Sequence, residues 1–168
     1  MTGAPAPTLT LRPASTGDRA FLDRVYISTR LDELALLDWP AEQVQAFLSQ
    51  QAAAQHTHYW THYNPARFCV VELEGAPVGR LYVDRWPDQI RVVDIALLPE
   101  HRNRGLGTAL LESVLAEGDR DGLPVTIHVE SFNPAQRLYF RLGFERIGGD
   151  DVYWLLERAP QRSCTHAG

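Results

Sequence analysis

Apolar residues recur along this chain with two periods, and the change from one to the other outlines the elements. TLTLRP at 8–13 alternates and predicts a strand. STGD at 15–18 has the character of a helix cap, and Ala20–Arg30 follows with Phe21, Val25 and Ile27 among its apolar positions. Pro40 opens a second helix in which Val44, Phe47 and Leu48 recur at helical spacing, running into QAAAQ at 51–55. RFCVVELEG and PVGRLYVDR read as two antiparallel strands joined by a turn around Gly75, and QIRVVDIALLP as a third strand ending at Pro99. TALLESVLAEGDR is helical, with a stripe of Leu106, Leu110, Leu111, Val114 and Leu115. VTIHVE at 125–130 is a strand whose upstream connection is a whole helix, which suits a right-handed parallel crossover. NPAQRLYFRLGF predicts a helix opened near Pro134 and stopped by Gly143. A short strand at 144–148 and a closing strand DVYWLLER at 151–158 complete the order. Hairpins followed by β-α-β packing predict an α/β fold: a mixed, mostly antiparallel central sheet with helices on both faces.

One segment resists this reading. HTHYWTHYNP at 56–65 holds three histidines and three aromatic residues and is expected to be a polar loop with half-buried aromatics. His56, His58 and His62 lack the cysteine and carboxylate neighbours of a structural metal site, so no metal is expected.

Composition narrows the class. A chain of 168 residues suits one domain, expected over 9–158, with a loose start at 1–8 and a polar tail at 159–168. The net charge of -5 and a pI near 5.6 speak against a nucleic-acid partner. Cys69 and Cys164 are read as reduced thiols. The N-terminus lacks the pattern of a secretory signal and no apolar run approaches a membrane span, so a cytoplasmic protein without membrane association is expected.

The densest chemical signal lies in RNRGLGT at 102–108, between a strand and a helix. Gly105 and Gly107 let the backbone approach a ligand without an intervening Cβ. The first amides of a helix have no intrahelical acceptor and, aided by the helix dipole, can donate to a phosphate. Arg102 and Arg104 add positive charge. The turn is neither a Walker loop nor a dinucleotide fingerprint, since GxxxxGK[ST] and GxGxxG are both absent.

In the stretch DIALLPEHRNRGLGTALL, Arg102, Gly105 and Gly107 match the central motif of the GCN5-related N-acetyltransferase (GNAT) superfamily, and Leu97 is the aliphatic residue two before the proline. In SFNPAQRLYFRLGF, Asn133, Tyr139 and Gly143-Phe144 match a second motif of that family. The chain thus resembles a GNAT protein in element order over 9–158 and in sharp detail over 93–144. The resemblance implies the acyl-CoA N-acyltransferase fold, with the strands at 91–98 and 125–130 splayed apart as a parallel pair. It implies acetyl-CoA as cosubstrate. Backbone groups of Ile95, Ala96 and Leu97 would pair with the pantetheine arm. The amides of Arg102, Asn103, Arg104, Gly105, Leu106, Gly107 and Thr108 would hold the diphosphate, Asn133 would bond the pantetheine side, and Tyr139 would stand near the thioester sulfur.

Moving an acyl group from sulfur to nitrogen requires an amine without its extra proton, a donor for the oxyanion and a proton for the leaving thiolate. A phenol ordinarily titrates near ~10 and stays protonated at neutral pH, which makes Tyr139 the candidate acid. Relatives that acetylate N-terminal amines carry a glutamate five residues before the conserved asparagine, and here that place is His128. Histidine is a fair base near neutrality. Asp94, a carboxylate in the apolar strand VVDIAL, is the rival: it would orient a water, bind the substrate ammonium or pair with an arginine. The base is therefore His128, Asp94 or water.

By the same resemblance, acceptor specificity falls to Tyr26, Arg30, Asp32, Glu33, Trp39 and 56–65, an aromatic and acidic set suited to a cationic amine. The acceptor is expected to be a small-molecule amine, with a protein N-terminus or lysine as the alternative, and a homodimer is a common outcome in the family. The competing functions are a non-catalytic acyl-CoA-binding module and transfer of a longer acyl group or to oxygen.

Overall fold

The computed structural model describes residues 7–64 and 67–162, with the Asp32 side chain outside that description. Cys164, Pro65, most of the expected loose start and the end of the expected polar tail therefore lie outside the described residues. The strands are β1 (Leu9–Pro13), β2 (Phe68–Leu73), β3 (Ala76–Arg85), β4 (Ile90–Leu97), β5 (Val125–Glu130), β6 (Glu145–Gly149) and β7 (Tyr153–Arg158). The helices are α1 (Arg19–Leu34), α2 (Ala41–His62), α3 (Leu106–Asp121) and α4 (Gln136–Arg141). The sheet has seven strands in the order β1-β2-β3-β4-β5-β7-β6. β1 with β2, β2 with β3, β5 with β7 and β6 with β7 pair antiparallel and β4 with β5 pair parallel, so the fold is the expected mixed, mostly antiparallel α/β architecture. The chain divides into two compact units: one runs to Tyr82 and adds Asp94–Leu106, the other holds Val83–Val93 and everything from Gly107 on.

In the first unit, β2 and β3 form a hairpin closed by Glu74 and Gly75, at φ 51° and 80°. Two positive φ values in a two-residue loop match the right-handed twist of the flanking strands. Phe68 stands opposite Tyr82 in register, and their rings stack with centroids 4.1 Å apart. Both are buried, as are Val70, Val71, Val78 and Leu81 on the same hairpin. Each such side chain contributes about 1.5–3 kcal/mol when fully buried.

The segment expected as a loop at 56–65 is instead the end of α2 as far as His62. The physical reason is spacing. Leu48 and Ala52 are buried four residues apart, and Tyr59 continues the same side with its ring edge-on to Tyr82 at 5.8 Å. His56 stacks on Trp60 at 5.0 Å and His58 meets His62 at 4.6 Å, both pairs at i,i+4. The aromatics that looked irregular form two helical stripes.

In the second unit the α3 stripe packs as expected, with Leu110, Leu111, Val114 and Leu115 buried. A Cβ on Gly118 would meet Leu123 O at 2.8 Å and Val125 Cγ2 at 3.0 Å, so glycine sets how closely α3 lies on β5. The expected long helix at 133–144 is shorter: a turn occupies Pro134 and Ala135, α4 spans only Gln136–Arg141, and Gly143 at φ 97° ends it.

Gly79 is a comparable point in the first unit. A Cβ there would stand 2.3 Å from Ala96 O and 3.1 Å from Leu97 Cα, so only glycine lets β3 lie against that part of β4. The variant Gly79→Ala is expected to lose about 1–3 kcal/mol of stability, read as a lower urea midpoint with an unchanged slope.

Candidate functional site

The parallel register consists of Ile90↔Val125, Arg91↔Thr126 and Val92↔Ile127. From there β4 continues to Leu97 and β5 to Glu130. The parallel pairing thus covers the first part of β4 and of β5. Ile95, Ala96 and Leu97 are half-buried at the far end of β4. Leu98 N–H donates to Val78 O at 2.9 Å, and a short 3-10 turn follows at Pro99–His101.

Arg102 is the anchor of the turn that comes next. Its Nε donates to Leu97 O at 2.9 Å and its Nη2 to Ser28 Oγ at 3.4 Å. That side chain ties the turn to the strand it leaves. Asn103 then adopts φ 61° and Gly105 φ 79°, two left-handed residues separated by Arg104. Asparagine tolerates this region better than most residues and glycine adopts it without steric cost. Open space lies where a Cβ of Gly105 would be, and a Cβ on Gly107 would touch only Leu138 Cδ2 at 3.9 Å. Asn103, Arg104 and Gly105 are exposed. α3 begins at Leu106, so the amides of Leu106, Gly107 and Thr108 belong to its first turn. A left-handed pair leading into a helix start, with nothing crowding the glycine, fits a diphosphate.

Asp94 is held firmly. Its Oδ2 accepts from Arg80 Nη2 at 2.5 Å, and the same guanidinium nitrogen donates to Gln55 Oε1 at 2.8 Å. Arg80 lies on β3 with its side chain 6 % exposed and its charge over the ring of Tyr82, and Asp94 is 16 % exposed. Burial, with Asp94 beside it, pushes the Tyr59 hydroxyl well above the ordinary phenol range, so it stays a donor and hydrogen-bonds Asp94. Of the roles considered for Asp94, pairing with an arginine is the one the geometry displays.

His128 lies on the exposed side of β5, between the buried Ile127 and Val129. Its Nδ1 is 3.1 Å from Arg91 Nη1. Partial burial and then the Arg91 charge lower its pKa from the ordinary value. Arg91 is itself fixed: Nε donates to Thr126 Oγ1 at 2.8 Å, Nη2 to Gln89 Oε1 at 3.3 Å, and the guanidinium lies 4.9 Å from the centre of the Trp86 ring.

Asn133 shapes the loop after β5. Its Oδ1 accepts from Ala135 N at 2.9 Å, an Asx turn that starts the entry to α4. Gln136 Nε2 donates to Glu130 O and Ser131 O, at 2.9 and 2.6 Å, and so clamps the same loop. Tyr139 is buried, with its ring edge toward Phe144 at 5.8 Å. Arg80, Arg91 and Gln136 escaped the sequence reading. An arginine inside PVGRLYV is a signal for a buried pair, but which partner it finds depends on strand register.

The expected acceptor residues occupy different environments. Tyr26 is in the core with Arg30 5.8 Å from its ring centre, and Arg30 pairs with Glu33 at 3.0 Å. Trp39, edge-on to Phe47, lines a groove of about 400 Å³ with Leu31, Leu34, Leu37 and Val44. Tyr82 is core. No three or more His, Cys, Asp or Glu side chains are grouped to hold a metal among the described residues, and no described helix is long and apolar enough to cross a membrane.

The acetyltransferase (GNAT) family matches residues 29–144 of the chain, a span that contains both motifs and the anchored turn. The chain belongs to the GNAT family. A mycothiol acetyltransferase from Nocardiopsis dassonvillei is 36 % identical over 63 residues, which are 38 % of this chain and 19 % of that protein. The match thus spans about a fifth of the relative's length. The PaiA N-acetyltransferase of Thermoplasma acidophilum, solved in complex with coenzyme A, superposes with a TM-score of 0.67 at 14 % identity, over 90 % of this chain and 99 % of that one. An Escherichia coli ribosomal-protein-alanine N-acetyltransferase does so with a TM-score of 0.61 at 18 % identity, over 96 % and 99 %. At these identities the likeness establishes the GNAT fold.

The Arg80–Asp94 pair yields a stability prediction. Removing one partner of a buried ion pair costs about 3–5 kcal/mol, whereas replacing both with apolar residues is often neutral. Arg80→Met is therefore expected to be strongly destabilised and Arg80→Met with Asp94→Leu to recover most of the loss, as read in urea unfolding of the single and double variants.

Proposed function

We propose that the protein transfers an acetyl group from acetyl-CoA to a primary amine by direct attack, with both substrates bound at once. The observation that carries this reading is the turn at 102–108, in which Arg102 grips Leu97 O while Asn103 and Gly105 take left-handed conformations immediately before α3. Its exposed amides suit a diphosphate, and GNAT relatives include a protein crystallised with coenzyme A. The residues that would hold the cosubstrate are the backbone of Ile95, Ala96 and Leu97 for the pantetheine arm, the amides of Arg102 through Thr108 for the diphosphate, and the Asn133 amide group. With Oδ1 of Asn133 engaged in its turn, the NH2 group is the one that donates to a pantetheine carbonyl.

Acetyl-CoA supplies an activated acyl carbon with a thiolate leaving group. The amine nitrogen bonds to that carbon, the carbon–sulfur bond breaks, and Tyr139 gives its hydroxyl proton to the departing sulfur. The proton lost by the amine goes to His128, Asp94 or water. Members of the family differ in the amine they take. A small-molecule amine is the acceptor we favour, given the acidic balance of the chain.

A thermal-shift series with acetyl-CoA and longer acyl-CoAs is expected to show stabilisation by acetyl-CoA, and an amine panel read by CoA release to show turnover with a small primary amine. Stabilisation by none of the thioesters would refute the cosubstrate. Turnover only with N-terminal or lysine peptides would move the acceptor to proteins. Tyr139→Phe is expected to bind acetyl-CoA normally and to lose about 10²–10⁴-fold in kcat; unchanged kcat would remove Tyr139 from the acid role.

A further inference from the structure

The contact between Arg91 and His128 limits what the imidazole can do. A guanidinium carries only N–H donors and no acceptor, and it does not lose its proton in proteins. At 3.1 Å from Arg91 Nη1, the Nδ1 atom of His128 must therefore be the acceptor, with its lone pair directed at the arginine. A neutral imidazole has one lone-pair nitrogen and one N–H, so the proton then sits on Nε2. Protonating Nδ1 would bring a second donor and a second positive charge against the guanidinium.

Arg91 is poorly placed to move aside. Thr126 Oγ1 and Gln89 Oε1 hold its other nitrogens, Thr126 Oγ1 donates in turn to Gln89 Oε1 at 2.7 Å, and the Trp86 ring lies against its plane. Trp86 is itself fixed, by its Nε1 on Asp84 Oδ2 at 2.8 Å and its backbone N–H on Gln89 O at 2.9 Å. On β7, Leu155 stands opposite His128 in register, with Glu157 opposite Thr126 and Tyr153 opposite Glu130. The position in contact with Nδ1 is held by Arg91.

We propose that Arg91 locks His128 as the neutral, Nε2-protonated tautomer, so that this imidazole serves acyl transfer as a hydrogen-bond donor and not as the base that takes the amine's proton. The proposal rests on the acetyl-transfer reading above for its catalytic half. In it the amine nitrogen bonds to the acetyl carbon, the thiolate leaves with the proton of Tyr139, and the amine's proton passes to water, since Asp94 is engaged by Arg80 and His128 by Arg91. The Nε2–H is then available to the oxygen on which negative charge develops, a task a neutral imidazole performs well. Arg91 is a positioning residue acting through His128.

The sign of the pH effect follows. With its pKa lowered, His128 stays neutral to a more acidic pH than an ordinary histidine, and the arginine's removal raises the pKa. Imidazole nitrogen NMR on 15N-histidine-labelled protein, with His128→Gln to assign the signal among the six histidines, reads tautomer and titration directly and needs no substrate. The expected result is an Nε2-protonated His128 at neutral pH, titrating below the usual range, and an Arg91→Met protein in which both tautomers appear and the titration moves up. An Nδ1-protonated His128, or one whose titration is unmoved in Arg91→Met, overturns the lock. For the catalytic half, Gln keeps a donor and lacks a basic site, whereas Glu keeps a carboxylate and loses the donor. His128→Gln is expected to stay within about tenfold of wild-type kcat and to retain the acidic limb of the pH–rate profile, and His128→Glu to fall about 10²–10³-fold. The reverse order, with the acidic limb lost in His128→Gln, makes His128 the base and overturns the proposal. Absence of wild-type turnover with every amine would count against the acetyl-transfer reading itself, while the NMR result would still uphold or overturn the lock.

Discussion

The proposed cosubstrate site depends first of all on a fixed end of β4. Arg102 reaches back to Leu97 O, Leu98 N–H is taken by Val78 O, and the absence of a side chain at Gly79 lets β3 lie against Ala96 and Leu97. The turn that follows gets its shape from two left-handed residues, Asn103 and Gly105, and leaves the chain at the start of α3 with exposed amides. Contacts of this kind order the strand end before any ligand arrives, which lowers the ordering cost of binding.

Arginine recurs as the means of fixing chemistry-bearing side chains. Each of the two groups that the sequence offers as a base is gripped by one: Asp94 by Arg80, and His128 by Arg91. The two grips differ in kind. Arg80 is buried and stacked on Tyr82, so its pair with Asp94 is a matter of folding as much as of function. Arg91 is only half-buried, and it is held by Trp86, Thr126 and Gln89. On the proposed reading, restraining both leaves water as the simplest acceptor for the amine's proton.

The fold was legible in the sequence wherever one period dominated. The alternating strands, the Leu110–Leu115 stripe of α3 and the Gly75 turn all read correctly, because each is decided by neighbours within a few residues. The end of α2 did not, since histidine and tyrosine carry weak helical preference and the contacts of Tyr59 with Phe68 and Tyr82 reveal the stripe. The turn at 102–108 was visible through its glycines, yet the left-handed Asn103 and the anchoring role of Arg102 depend on backbone angles and reach. The partners of Asp94 and His128 are cross-strand or cross-element contacts at separations of 14 and 37 residues, which no local pattern encodes.

The most direct test of the central claim is a calorimetric titration of CoA into wild type and Gly105→Val. At φ 79° a β-branched residue is strained, and the space around Gly105 is open, so the substitution changes the turn without displacing any core group. Wild type is expected to bind CoA and Gly105→Val to bind at least about tenfold more weakly, with a stability loss of about 1–3 kcal/mol from the strained backbone. Equal affinity in the two proteins, or no binding to wild type, would contradict it.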